Sequence, residues 1–218
     1  YHEYAEKYLD SYVYNQGKKG LDGNFKDKKG ALVALNYDGR NSSRTFAYNL
    51  DHGYILSCFA DHYMLTGDKE WLKRVAKTLI DGCYFVFRER ESSKTYTGNG
   101  DKVSYYGLLP HGHLEDNPEW RCWFSVNAHA CGGILRVAKA LGEINHLEAD
   151  NILSEGLKYR DDIRMAVIRA MGKAPAAPSG RGGYIPRIPT HAEIRGRDWG
   201  WIRETAYGPL HLVYGLVL

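Results

Sequence analysis

Glu115 and Asp116 stand side by side in the stretch "YYGLLPHGHLEDNPEWRCWF", residues 105–124, with His111 and His113 just before them and Trp120 and Trp123 just after. Two adjacent carboxyls among apolar and aromatic neighbours repel each other when both are ionised. Mutual repulsion or partial burial therefore raises one of them and makes it a proton donor near neutral pH. The competing reading is a solvated turn, because Asp116-Asn117-Pro118 is a turn signal in its own right. Tyr105, Tyr106, Trp120, Trp123, Trp199 and Trp201 supply rings that are apolar on their faces and polar at one edge, and of these Trp123 and Trp201, further into helices, are the ones expected in the core. His111, His113 and Asn127 supply hydrogen-bond donors and acceptors. The two histidines lack a third and fourth ligand at metal spacing, so no metal is expected, and "QGKKGLDGNF" lacks the spacing of a phosphate loop, so no nucleotide cofactor is either.

Further acids lie elsewhere in the chain. Asp51, followed by His52, precedes a helical pattern and is either a functional acid or an N-cap. In "RDWGWIRET", Asp198, Trp199, Arg203 and Glu204 gather near the start of another helix, where Glu204 could equally pair with an arginine or stabilise the helix N-terminus. His62, His129 and His211 sit singly on apolar helix faces and read as satisfied core residues.

Helices must position these groups. Residues 51–66 place Ile55, Leu56, Phe59, Tyr63 and Met64 at helical spacing, Gly67 ends the run, and a second stripe (Trp71, Leu72, Val75, Leu79, Ile80, Cys83) starts from Asp68. The pattern recurs as "FSVNAHACGGILRVAKAL" from 124, a break at Gly142, and a partner helix from about His146. A third unit begins at "WGWIRETAYGPLHLVYGLVL". The spacing predicts helices near 53–65, 69–89, 124–141, 146–171 and 200–217. Helix, tight turn, helix, long loop is the signature of stacked antiparallel αα-hairpins, an all-α fold. The long segments 15–50, 90–122 and 173–198 each precede the first helix of a hairpin and so share one face, where function is sought. Small residues on those first helices (Ala128, Ala130, Gly132, Gly133) fit an inner layer packed on all sides.

Composition sets bounds. The 218 residues, 44% apolar, suffice for one sizeable core, and a net charge of +3 with no basic run gives no case for nucleic acid. No stretch is apolar enough to span a membrane. Four cysteines without CxxC spacing read as buried free thiols.

"NLDHGYILSCFADHYMLTGDKEWL", "YYGLLPHG" with the acidic pair and "WFSVNAHACGGILRVAKALGE", and "RDWGWIRETAYGPLHL" together resemble the six-hairpin glycosidases, whose (α/α)6 toroids cleave glycosidic bonds. The likeness covers roughly residues 45–217. It implies a single toroid domain over 1–218 that makes up about half a ring, the remaining hairpins being expected from sequence outside it. It implies a glycoside hydrolase with two carboxylic acids and inversion, an oligosaccharide or polysaccharide substrate, and a secreted or periplasmic setting. On that reading Glu115 or Asp116 is the acid, the base comes from Asp51, Asp198 or Glu204, and the aromatic and histidine groups bind sugar, with His52 and Arg203 beside them. Two other readings stay open. One is a polysaccharide lyase using Tyr105 or Tyr106 with His111, Asn127 or Arg203 on a uronate, which the five basic residues of 173–197 would suit. The other is a non-catalytic carbohydrate-binding scaffold.

Overall fold

The computed structural model describes residues 1–17, 27–32, 51–114, 117–194 and 209–218. Its elements are α1 (His2–Asn15), α2 (Asp51–Thr66), α3 (Lys69–Glu91), β1 (Gly112–Leu114), β2 (Asn117–Arg121), α4 (Phe124–Glu143), α5 (Ala149–Met171), β3 (Ala177–Pro178) and β4 (Tyr184–Ile185). A last helical stretch occupies 209–214. The fold is all-α, built from helical hairpins, with short two-stranded ribbons confined to the long loops.

The first hairpin forms where the sequence stripes place it. Gly67 takes φ +68° at the turn, a left-handed conformation that costs glycine little. Asp68 then caps α3 by accepting the Trp71 N–H at 2.9 Å. Antiparallel packing follows, with His52 beside Gly82 at one end and Phe59 stacked on Trp71 at the other.

The second hairpin differs in its turn. Gly142 stays within α4, and the left-handed residue is Asn145, at φ +53°. His146 then organises the entry to α5, its carbonyl accepting the Ala149 N–H and its Nδ1 the Glu148 N–H, so the helix starts at Ala149. α1, absent from the helices expected above, is a further difference. It packs along α2 and α3 through Leu9, an Arg74–Asp10 bond of 2.7 Å and a Glu6–His62 contact of 3.4 Å. Of the expected helix 200–217, residues 200–208 lie outside the described part.

α2 and α4 form an inner pair and make the most extensive helix contact in the fold; α1, α3 and α5 lie outside them. Small residues permit this approach. A Cβ on Gly53 would stand 2.3 Å from the His129 carbonyl carbon, one on Gly133 would stand 2.7 Å from Gly53 O, and one on Gly215 would stand 2.2 Å from Ala128 O. Leu56, Phe59, Leu72, Leu79, Phe124, Ile134, Leu141, Ile152 and Ile163 fill the core behind that contact. Cys83, Cys122 and Cys131 are buried free thiols, and Cys58 is a free thiol at the surface.

Candidate functional site

The turn 105–109 is fixed from below by a buried polar network. Arg90, near the end of α3, is almost wholly buried; its Nε donates to Gly107 O at 2.6 Å and its NH2 to Asp162 of α5 at 2.6 Å. Its guanidinium lies 4.1 Å from the centre of the Tyr159 ring. Gly107 has φ +73°, and a Cβ there would meet Asp162 Oδ2 at 2.3 Å, so the turn needs glycine for both conformation and space. Ser93 donates to Leu108 O. Asn127, in the first turn of α4, ties the next step: its Oδ1 accepts the Leu109 N–H at 2.7 Å and the Tyr159 hydroxyl at 2.6 Å, and its Nδ2 donates to Trp123 O at 2.7 Å. Polar groups buried this deeply are stable only when paired, and here the pairing runs through three helices to one turn.

Beyond that turn the chain forms the β1–β2 ribbon, with Gly112 opposite Arg121 and Leu114 opposite Asn117. Residues 190–194 then return from the third loop and lie along 122–124. Trp123 bridges His191, the Phe124 N–H donates to Thr190 O, and the Ala192 N–H to Cys122 O. Two of the three long loops therefore meet on one face, at the start of α4.

Glu193 closes the junction. Its carboxylate contacts His111 Nε2, accepts the Cys122 N–H at 3.2–3.3 Å, and lies 3.5 Å from His191 Nδ1, at the outer edge of hydrogen-bond reach. Burial pulls the Glu193 carboxyl upward, but hydrogen bonds from His111 and, more weakly, His191, the charge of His111 and the Cys122 N–H outweigh it and hold the group at about 2. Glu193 is thus ionised at neutral pH and cannot serve as a protonated acid there. It is also the single acid of residues 173–197, a signal available in the sequence, although nothing in the sequence said that it reaches His111.

Around this junction lie several of the residues singled out by type. Tyr105 stands edge-on to His111 with ring centres 4.8 Å apart at 77°. Tyr106 packs on Tyr96 at 5.5 Å and carries the Lys102 ammonium 4.0 Å from its ring centre. Trp120 on β2 is 44% exposed. Tyr105, Tyr106, His111 and Trp120 are the exposed or half-buried members of this wall.

Three other candidates are buried and hydrogen-bonded within the protein. His52 is buried, accepting the Leu32 N–H on Nδ1 at 3.0 Å and donating from Nε2 to Gly82 O at 3.0 Å. Burial lowers its pKa to about 4, against the pull of those backbone bonds, so it is a neutral core residue. Trp123 is buried with its indole N–H on Gly112 O at 2.9 Å. Asn127 is buried with its amide oxygen and nitrogen both engaged, as described. The right residue types in the right segment were pointing inward.

Asp51 belongs to a separate cleft of about 240 Å³ between α1 and α2, lined by Tyr8, Leu9, Tyr12, Asp51, Tyr54, Ile55 and Cys58. None of these comes from 105–123. The side chain of His113, and Glu115, Asp116, Asp198, Trp199, Arg203 and Glu204, lie outside the described residues. Among the described residues no cluster of three or more His, Cys, Asp or Glu could hold a metal, and no helix is long and apolar enough to cross a membrane.

No protein-family model and no curated protein sequence matches the chain. Among solved structures, it is similar to a metal-independent alpha mannosidase from Streptococcus pneumoniae, captured in a non-productive complex with alpha-1,6-mannobiose. The TM-score is 0.50 at 10% identity, over 89% of this chain and 49% of that one. The likeness shows a fold shared with a glycoside hydrolase, and the chain spans about half of that protein's length.

Proposed function

We propose that this chain is part of a glycoside hydrolase that cleaves by a two-carboxylate, inverting mechanism on an (α/α)6 toroid, completed by further hairpins. The observation that carries the reading is the meeting of two long loops over the start of α4, on a helical-hairpin fold like that of a glycosidase. The meeting point presents Tyr105, Tyr106 and Trp120, whose faces suit the apolar faces of pyranose rings, and His111, which suits hydroxyls.

On this reading Glu115 or Asp116, between the paired Leu114 and Asn117, donates the proton to the leaving oxygen. A second carboxylate, drawn from Asp51, Asp198 or Glu204, activates water. Inversion requires the two about 6.5–9.5 Å apart. Glu193 is a poor candidate for either role, since a carboxylate with that many partners is neither a donor nor a strong base. His113, Asp198, Trp199 and Arg203 remain proposed sugar contacts.

Oligosaccharide screening of the full-length protein tests the reading. Reducing sugar without an ultraviolet-absorbing unsaturated product is the expected outcome; the unsaturated product would mean elimination, and binding without turnover a scaffold. Glu115→Gln or Asp116→Asn should lower turnover on poor leaving groups by about 10²–10⁴ while sparing leaving groups that need no proton. Normal activity of both variants would remove the acid from this stretch.

A further inference from the structure

Glu193 and His111 come from different loops and meet through their side chains, which raises the question of what the pair presents to the cleft. His111 commits Nε2 to Glu193, while the edge-on Tyr105 ring fixes the imidazole plane. The ring is still 31% exposed, and Nδ1 has no protein partner among the described residues. The titratable groups in contact with the pair are Tyr105 from the 105–109 turn against His111, and, against Glu193, His191 from the returning loop and Cys122 at the start of α4. Cys122 donates its thiol to Leu109 O and takes no part in charge.

We infer that Glu193 is the positioning residue for His111, and that the pair offers the imidazole Nδ1 as a hydrogen-bond partner to a hydroxyl of an uncharged sugar. This rests on the glycosidase reading of the same wall and narrows its substrate class. The ionised Glu193 carboxylate lies directly against the imidazole, so the pair attracts no second anion. A uronate carboxylate bonded to Nδ1 would face the Glu193 charge across a single imidazole ring. Arg121, the arginine next to this wall in β2, is engaged with Glu119 at 3.2 Å and supplies no free counter-charge. A hydroxyl meets no such repulsion, and the neighbouring Tyr105 ring offers it an apolar flank.

The test follows the nitrogen-15 NMR resonances of the His111 ring in the full chain, with and without sugar. In Glu193→Gln, whose amide oxygen can still accept the Cys122 N–H, the ring-nitrogen resonances of His111 should move, because the carboxylate against Nε2 is gone. A panel of neutral disaccharides (α-1,6-mannobiose, cellobiose, maltose) should contain a member that shifts the wild-type His111 resonances, with binding about tenfold weaker in Glu193→Gln, and digalacturonate should leave them unmoved. If Glu193→Gln does not fold, the carboxyl carbon of Glu193 is followed in His111→Gln, where its titration must rise from about 2. His111 resonances unmoved by Glu193→Gln, a His111 silent to every neutral sugar, or a shift by digalacturonate would overturn the inference. Glycoside hydrolysis with a silent His111 would overturn it alone and leave the hydrolase reading standing. Sugar binding at His111 without hydrolysis would do the reverse.

Discussion

The two loops that meet over α4 are held in opposite ways. The 105–109 turn rests on a buried guanidinium, a carboxylate, a tyrosine and an amide drawn from α3, α4 and α5, and every one of those groups is paired. The 173–194 loop is an exposed ribbon for much of its length: Tyr184 and Ile185 are 76% and 52% exposed. It is fastened chiefly at its end, where Thr190 to Glu193 lie along 122–124. A wall assembled this way has one face set by the core and one added by a clasp. Geometry on the first side should survive changes that release the second.

The largest effect should follow from breaking the anchored side. Arg90→Met keeps the bulk but leaves Gly107 O without its donor and Asp162 without its cation, which for a buried pair costs about 3–5 kcal/mol. Chemical denaturation should show the loss as a lower midpoint. A change under about 1 kcal/mol would mean that the turn is held by its own conformation and not from below.

Acid should separate the two sides by pH. His52 is neutral when folded, with a pKa lowered to about 4 by burial. The unfolded chain takes up that proton near pH 6.5, so between those values the unfolded state binds more protons and stability falls as pH falls. About 2 kcal/mol should be gone by pH 5. His129, lowered to about 3 by burial and by His211 and Arg136, acts in the same direction. Glu193 behaves differently: its carboxyl is depressed, so its contribution is complete above the ordinary carboxylate value of about 4.3 and is lost only as pH falls toward about 2. Thermal melts at pH 7, 5 and 3.5 should therefore show the helical core weakening first, with the His111–Glu193 contact intact in the molecules still folded at pH 5. Loss of that contact at pH 5 ahead of the core would reverse the assignment.

Much of this arrangement was readable before any coordinates, for physical reasons that differ by element. α2 to α5 bury continuous stripes, and Gly67 is a turn that needs left-handed φ, so period and punctuation agree. α1 gave no such stripe, because Leu9 is its one fully buried residue and its tyrosines stay largely at the surface. The second turn misled through Gly142, whose Cβ position is open and which is simply helical; the strained position falls to Asn145, a type that tolerates φ > 0 without announcing it. The loop junction over α4 was legible as a stretch rich in polar and aromatic residues and not as a set of side-chain directions. His52 and Asn127 have the chemistry of sugar contacts and the burial of core residues, a distinction that only packing makes, whereas Trp123 already read as core. Glu193 required a long-range pairing between loops that no local pattern encodes.

The smallest effect is expected on the clasped loop away from its fastening. Tyr184 sits in β4, opposite Pro178 of a two-residue strand, and the turn between the strands runs through Gly182 and Gly183 at φ +89° and +78°. Those glycines adopt the turn at little cost, and the ring of Tyr184 gains almost nothing from burial. Tyr184→Ser should therefore change stability by less than about 0.5 kcal/mol. It should also leave the His111 ring-nitrogen resonances unchanged, since Glu193 is held by Cys122 and His111 and not by the ribbon. A loss above about 1 kcal/mol, or a shift of His111, would show that the loop is anchored along its length, and the contrast between a core-set face and a clasped one would fail.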